Sequence, residues 1–250
     1  MRYCLLLICV WMTFAATAQF NMNFYTQAGG NYTTIRISRT SGIETSNGGY
    51  GWQLGIGTEY YTSFGYFIYL GIGVRNESYN KDSLSTFTPD TVSQLKYRPL
   101  FLSVPFGIGL KVPLEKKLSL KIYAGLNIQV GVSGKVTKRN LYYVFDSTTQ
   151  QTELTRTDIG KHNLHYGRSN SQRYTYDYNS SNWGAHIGTG IELNNSFELN
   201  VFYHYGINNF LPDRDAAVEI NKLSFIEVNA RIYLPDNFVG TKKKSGRSGY

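Results

Sequence analysis

The most regular pattern of apolar and polar positions lies between residues 118 and 132. Its even positions are all apolar: Leu118, Leu120, Ile122, Ala124, Leu126, Ile128, Val130 and Val132. The odd positions carry polar residues, one tyrosine and two glycines. Because alternate side chains of a strand point to opposite faces, this segment predicts a strand with one apolar and one polar face. It is much longer than the usual strand of about five or six residues, and its length suits a tilted strand that crosses lipid.

The same alternation recurs in seven further segments. We predict strands at residues 21–38, 50–60, 65–77, 94–111, 183–193, 197–206 and 219–234. Long polar connections follow the first, third, fifth and seventh strands, and short turns at 61–64, 112–117 and 194–196 join the others. Short turns at one end and long loops at the other are typical of outer-membrane barrels. The predicted fold is therefore all-β, an eight-stranded antiparallel up-and-down transmembrane β-barrel.

Two segments carry more specific expectations. Pro105 interrupts the fourth strand, and since proline has no N–H for the ladder, we expect a bulge or a bend there. The longest connection, residues 136–182, is rich in Tyr, Asn, Ser, Thr and Arg. Parts of it, at 141–145 and 173–178, are expected to extend the neighbouring strands as a hairpin beyond the membrane. An unstructured external loop is the alternative.

The N-terminus has the features of a secretory signal peptide. Arg2 precedes an apolar core at residues 5–10, and Ala16 and Ala18 supply the small residues before the cleavage site. The predicted domains are a signal peptide at 1–19, the outer-membrane barrel at 20–234 and a basic, disordered periplasmic tail at 235–250. Both cysteines lie within the signal peptide. The mature chain therefore lacks the residues for disulfides or for a cysteine-ligated metal.

The basic character of the chain bears on its partners. The formal net charge is +8, and removal of residues 1–19 takes away Arg2 and no acid, which leaves +7. Export argues against nucleic acid as a partner. We expect the surrounding outer-membrane lipid and lipopolysaccharide to be the anionic neighbours of this chain.

The polar faces of the predicted strands would meet in the barrel interior. Eight strands enclose a space that side chains just fill, so charges of both signs should pair there. We predict a structural polar network in the lumen, and no wide pore. Its expected members are Glu59, Arg75, Glu77, Lys121, His186, Glu192, Glu198, His204, Glu227 and Arg231.

The sequence gives no strong sign of catalysis, and we predict no catalytic, cofactor-binding or metal site. His162 and His165 are three residues apart in the long connection, but no cysteine or carboxylate pair supports zinc there. A lipid-modifying outer-membrane enzyme is an alternative, in which His204 would act with a serine and an acid. An exported soluble β-barrel that binds a ligand is a further alternative.

Three segments carry a resemblance to a known family: GWQLGIGTEY (51–60), LSVPFGIGLK (102–111) and FIEVNARIYL (225–234). Over residues 20–234 the chain resembles the small outer-membrane β-barrel proteins of the porin-like, OmpX-like or PorT-like type. The resemblance implies the outer membrane of a diderm, Gram-negative bacterium. It also implies a structural, adhesion or recognition, or membrane-assembly and secretion-accessory role without enzymatic activity. We expect residues 136–182 to offer a protein or glycan partner a surface, because tyrosine gives large contact area at low entropy cost.

Overall fold

The strands follow the alternating pattern of the sequence. The computed structural model describes residues 21–39, 42–45, 47–62, 64–84, 91–146, 151–167, 179–208 and 220–235. Within these ranges the strands are β1 (Asn21–Arg39), β2 (Gly42–Thr45), β3 (Asn47–Tyr61), β4 (Tyr66–Asn76), β5 (Tyr79–Leu84), β6 (Thr91–Glu115), β7 (Leu118–Asp146), β8 (Gln151–Asn163), β9 (Ser181–Leu193), β10 (Phe197–Gly206) and β11 (Ile220–Tyr233). The same ranges hold no helix that is long and apolar enough to cross a membrane.

Eight of these strands close into an antiparallel barrel. The ring runs β1, β3, β4, β6, β7, β9, β10, β11, and the first strand pairs with the last from Tyr25↔Tyr233 to Ser38↔Ile220. Chain neighbours in the ring are also neighbours in sequence, which is the up-and-down arrangement. The predicted fold class is confirmed. Closure satisfies the backbone of every barrel strand, as a lipid environment requires.

The remaining three strands lie in connections that we expected to be irregular. β2 pairs with the end of β1, β5 pairs with the start of β6, and β8 pairs with the end of β7. The expectation of a hairpin at 141–145 is confirmed, although its described partner is β8; residues 173–178 lie outside the described ranges. The expected strand boundaries at 94–111 and 118–132 were too short, because the polar outer halves of β6 and β7 do not show the apolar alternation.

The expected bulge at Pro105 was placed wrongly. Pro105 stays in register with Asn127 of β7, and the register shift between β6 and β7 lies at Leu100/Phe101. On the other side, the β4–β6 pairing lapses between Gly73↔Ser103 and Leu70↔Phe106 and resumes without a shift. Pro105 therefore costs ladder pairs on the β4 side and adds no residue to the strand, consistent with its missing N–H.

A band of exposed apolar side chains surrounds the barrel wall. Ile56, Ile108 and Ile187 are 58%, 65% and 63% exposed, values that water would penalise but lipid would not. Exposed aromatic side chains lie towards the two ends of this band, where aromatic belts of membrane barrels are found. At the loop end they include Tyr50, Trp52, Trp183 and Tyr205, and at the turn end Phe64, Tyr66 and Phe197.

The turns at the other end are tight. Asn194 and Asn195 have φ of 54° and 55°, and Ser196 N–H donates to the Leu193 carbonyl at 3.0 Å. Positive φ at both central residues is typical of a type I′ hairpin turn, and asparagine tolerates it better than most residues. Gly65, with φ of 83°, serves the same purpose in the β3–β4 turn.

Four strands continue past the barrel rim and form what we call the external sheet. It comprises β5, residues 91–99 of β6, residues 133–146 of β7, and β8. β7 loses its barrel neighbour β9 after Val130 and runs on to Asp146, roughly 50 Å along the strand. The predicted signal peptide at 1–19 lies outside the described ranges, as does the predicted tail after residue 235.

Candidate functional site

A charged cluster fills the barrel interior near the short turns. Lys121 on β7 is at its centre, with Nζ 2.8 Å from Glu59 Oε2, 2.5 Å from Glu192 Oε2 and 3.1 Å from Glu198 Oε2. The Lys121 and Glu59 side chains are completely buried. Three strands thus direct carboxylates at one ammonium group, which holds opposite walls of the barrel together. We call these residues, with Arg231 and Lys111, the turn-end cluster.

Two further cations balance the three acids of the turn-end cluster. Arg231 Nη1 lies 3.0 Å from Glu59 Oε1, and Lys111 donates to Glu192 from the rim. Glu59, Glu192 and Glu198 therefore face Lys111, Lys121 and Arg231 in equal number. This balance matters because an unpaired buried charge would cost several kcal/mol.

Tyrosines from three strands complete the turn-end cluster. Tyr123 and Tyr233 both donate to Glu198, and Tyr61 donates to Glu59 Oε2 at 2.5 Å. Lys121 Nζ also lies 2.6 Å from the Tyr233 hydroxyl. These hydroxyls occupy carboxylate lone pairs that the cations do not reach, as a buried ionic network requires.

An aromatic layer lies above the turn-end cluster. Phe67, Tyr69, Tyr123 and Phe202 are all buried and pack against one another across the lumen. The Tyr69 and Tyr123 rings meet edge to face with centroids 5.4 Å apart. Phe202 crosses the barrel wall opposite Gly188, where an added Cβ would lie 2.2 Å from Phe202 Cδ1. Glycines on the inward face thus leave the room that the inward rings fill.

A second ionic cluster lies on the loop side of the aromatic layer. Arg75 Nη2 contacts Glu227 Oε2 at 2.5 Å, and Gln53 bridges the pair by accepting from Arg75 and donating to Glu227. His204 Nε2 is 3.0 Å from the same Glu227 oxygen, and its ring stacks on Phe225 with centroids 4.1 Å apart. His186 meets the Tyr69 hydroxyl through Nε2. The contacts of His204 therefore belong to a packed ionic core.

The last predicted member, Glu77, lies higher still. It is fully buried, and Gln129 Nε2 donates to its Oε1 at 2.8 Å. Nearby, a cavity of about 10 Å³ is lined by Asn127, Asn182 and His204 among others, which is about the room for one water molecule.

The mouth of the barrel is closed by an apolar plug. Ile35, Tyr79, Leu164 and Leu223 form its buried core, with Tyr97, Val136 and Tyr166 packed against them. The segment after β8 contributes directly: Leu164 N–H donates to Gly134, and the Tyr166 hydroxyl donates to Ser133 O at 2.6 Å. Tyr166 also lies against Gly131, where a Cβ would be 1.9 Å from its Cδ1.

The structure places all ten predicted lumen residues inside the barrel, at 4% exposure or less. It brings Glu59, Lys121, Glu192, Glu198 and Arg231 into one cluster and Arg75, His204 and Glu227 into another. His186 touches the aromatic layer, and Glu77 is apart from both. Sequence reasoning did not assign the network partners Gln53, Tyr61, Tyr233 and Asn229. Their inward positions on alternating strands were the available signal, whereas nothing in the polar stretch after β8 marked Leu164 and Tyr166 as a plug.

Metal binding has no geometric support in the part of the chain that the structure describes. No group of three or more His, Cys, Asp or Glu side chains is arranged there to hold an ion. His162 is exposed at the end of β8, and His165 is exposed just beyond it.

Comparisons with known proteins agree with this architecture. The family model described as outer membrane protein beta-barrel domain matches residues 16–211. Comparison with curated proteins gives no match.

Three solved structures illustrate the similarity in structure space. Neisserial surface protein A matches with 12% identity, 85% of this chain, 98% of that chain and a TM-score of 0.35. Ail, the attachment invasion locus protein of Yersinia pestis, in complex with the heparin analogue sucrose octasulfate, matches with 13% identity, 84% and 99% coverage and a TM-score of 0.33. OprG from Pseudomonas aeruginosa matches with 12% identity, 86% and 97% coverage and a TM-score of 0.33. These similarities carry no information about what this chain binds.

Proposed function

Because the chain belongs to the outer membrane protein beta-barrel domain family, we propose that it is a filled barrel that presents the external sheet as a recognition or adhesion surface. Family membership implies the outer membrane of a Gram-negative bacterium. The proposed partner is a protein or a glycan that meets the sheet outside the membrane.

The filled interior argues against transport through a wide pore. The turn-end cluster, the aromatic layer, the Arg75–Glu227 cluster and the apolar plug occupy successive levels of the lumen. Moving a solute through would break buried ion pairs, each of which costs several kcal/mol when one partner is left alone. The barrel is better suited to hold something in place than to conduct.

The observation that carries the recognition role is the ordered projection of β7 and β8. Twelve register pairs join them, from Lys135↔Asn163 to Asp146↔Gln151, where a solvated loop would have sufficed for connection. Exposed apolar side chains such as Val144, Leu154 and Ile159 lie on this hairpin, outside the barrel wall. A preformed sheet binds a partner at lower entropic cost than a loop that must fold on contact.

The experiment compares the full chain with a shortened hairpin. Thr137 and Lys161 are directly paired, so residues 138–160 can be replaced by an Asn-Gly turn without disturbing the barrel. Proteoliposomes with either protein are tested for adherence to immobilised glycans and extracellular proteins, and for conductance in planar bilayers. Retention of the fast-migrating unboiled gel band shows that the shortened barrel is folded.

We expect the full chain to adhere, the shortened chain to lose adherence, and neither to give pore-sized conductance steps. Equal adherence of both proteins would overturn the recognition role. Large stable conductance of the full chain would overturn the filled-barrel role.

A further inference from the structure

The external sheet has one face that is rich in cations and continues the lipid-facing surface of the barrel. On β6 the even positions face lipid within the barrel wall, as the 65% exposure of Ile108 shows, and Arg98 and Lys96 follow Leu100 on that same face. The register shift at Leu100/Phe101 inserts its extra residue in β7, so this alternation on β6 is unbroken.

The register across three strands gathers further cations on this face. Arg98 is opposite Lys135, and Lys96 is opposite Thr137, which is opposite Lys161 on β8. Arg139 follows on β7, opposite Gln94. All members of this set, which we call the cationic face, are exposed: Lys96, Arg98, Lys135, Arg139 and Lys161.

Acidic side chains do not balance the cationic face among the residues whose side chains are described. Asp158 is opposite Asn140, and therefore belongs to the other face of the sheet, where it pairs with Arg156 at 3.0 Å. Asp82 occupies a register position opposite Gln94 at the far edge, and even with it the cations outnumber acids five to one. Like charges directly opposite each other, such as Arg98 and Lys135, are unfavourable unless an anion lies between them.

The height of the cationic face selects the kind of anion. Arg98 is two residues beyond Leu100, about 7 Å along the strand, and the headgroup region of a bilayer is roughly 5–8 Å thick on each side. The nearest anionic groups at that level are lipid phosphates. We propose that the cationic face, centred on Arg98 and Lys135, binds the phosphorylated headgroup of an outer-leaflet lipid.

This inference needs the barrel to lie in a membrane, but it is independent of the recognition role of the hairpin. Lipid would be bound at the base of the external sheet, on its outward face. A protein or glycan partner would meet the exposed hairpin farther out. Loss of one activity therefore leaves the other measurable.

The test uses bisphosphorylated lipid A, doped into neutral detergent micelles that hold the refolded barrel, with bound lipid counted by native mass spectrometry. The variant is Arg98→Gln/Lys135→Gln. The matched control, Lys138→Gln/Arg156→Gln, removes the same charges from the opposite face, where Lys138 is paired with Gly160 and Arg156 with Tyr142. Dephosphorylated lipid A and soluble inositol hexakisphosphate separate the headgroup from the acyl chains and from free anions.

We expect the variant to bind lipid A about thirtyfold more weakly at low ionic strength, since each cation near a charged lipid surface contributes about a factor of five. The control should stay within about twofold of the native chain, because its cations lie on the other face. Equal losses in the variant and the control would overturn the proposal. So would undiminished binding of dephosphorylated lipid, or displacement of lipid A by inositol hexakisphosphate at equal concentration.

The unboiled gel band confirms that each protein is folded before binding is measured. If Arg98→Gln/Lys135→Gln lacks that band, Arg139→Gln/Lys161→Gln replaces it. The second pair lies on the same face, removes one arginine and one lysine, and is subject to the same outcomes.

Discussion

Lys121 Nζ lies 2.8 Å from Glu59 Oε2, although their strands β7 and β3 are separated by two others in the barrel wall. The contact therefore crosses the lumen and does not follow the sheet. Both side chains are completely shielded from water. An ion pair of this kind ties together walls that backbone pairing alone does not connect.

Replacing Lys121 should destabilise the barrel strongly. Lys121→Met leaves Glu59, Glu192 and Glu198 without their shared partner, and removal of one side of a buried ion pair costs about 3–5 kcal/mol. The free energy of unfolding can be measured by urea titration in detergent micelles through the fluorescence of Trp52 and Trp183. Arg156→Met is the control, because its pair with Asp158 is exposed and should contribute at most about 1 kcal/mol. Similar losses in both variants would contradict the central role of Lys121.

The close approach of Gly188 and Phe202 predicts an asymmetric response to alanine. In Gly188→Ala the new Cβ meets the Phe202 ring, and overpacking of this kind costs about 1–3 kcal/mol. Gly30→Ala is the matched control, since the nearest atom to its new Cβ is 3.7 Å away. The same urea titration should show a loss for the first variant and none for the second. Tolerance of Gly188→Ala without loss would mean that the ring does not occupy this position.

The apolar plug should control access to the lumen from outside. A protein that begins at residue 20 has no cysteine, so Ser103→Cys, which is inward and 4% exposed, supplies a single buried reporter. With Leu164→Ala/Tyr166→Ala, a water-soluble thiol reagent should label it about tenfold faster or more, because loss of buried apolar side chains costs about 2–5 kcal/mol. A Lys138→Cys reporter, exposed on the external sheet, should be labelled at the same rate with and without the plug. Unchanged labelling of the buried reporter would remove the plug from its assigned place.

The β9–β10 turn should discriminate between glycine and alanine. At φ of 55°, Asn195→Ala places a Cβ in the left-handed region and should cost about 1 kcal/mol, whereas Asn195→Gly should be nearly neutral. The comparison is made on unfolding free energies of the two variants. A larger loss for glycine than for alanine would contradict the type I′ geometry.

The barrel strands were predictable because lipid on one side and a packed lumen on the other impose a strict period of two. Positions such as Ile122, Tyr123 and Ala124 therefore announce their faces in the sequence alone. The inward charges were predictable for the same reason, and Glu59, Lys121 and Arg231 do lie within the lumen. Which of them touch depends on strand stagger, and no single strand encodes that.

The external sheet was largely missed because water covers it. In the outer half of β7 neither face has to be apolar, so Lys135, Thr137 and Lys138 show no alternation. β8 is held by backbone pairing with β7, and its partner could only be found in three dimensions. The position of Tyr166 over Gly131 likewise depends on how the chain returns from β8 to the barrel mouth.

The unbroken course of β6 and β7 has a mechanical consequence. Their pairing runs from the turn beside Glu115 and Leu118 to Thr91↔Tyr142, with no hinge between the membrane wall and the exterior. A force on the tip of the external sheet would act as a torque on the barrel, resisted by the β4–β6 and β7–β9 pairs. These flanking ladders, and the ties across the lumen behind them, set the load that the chain can bear before the wall opens.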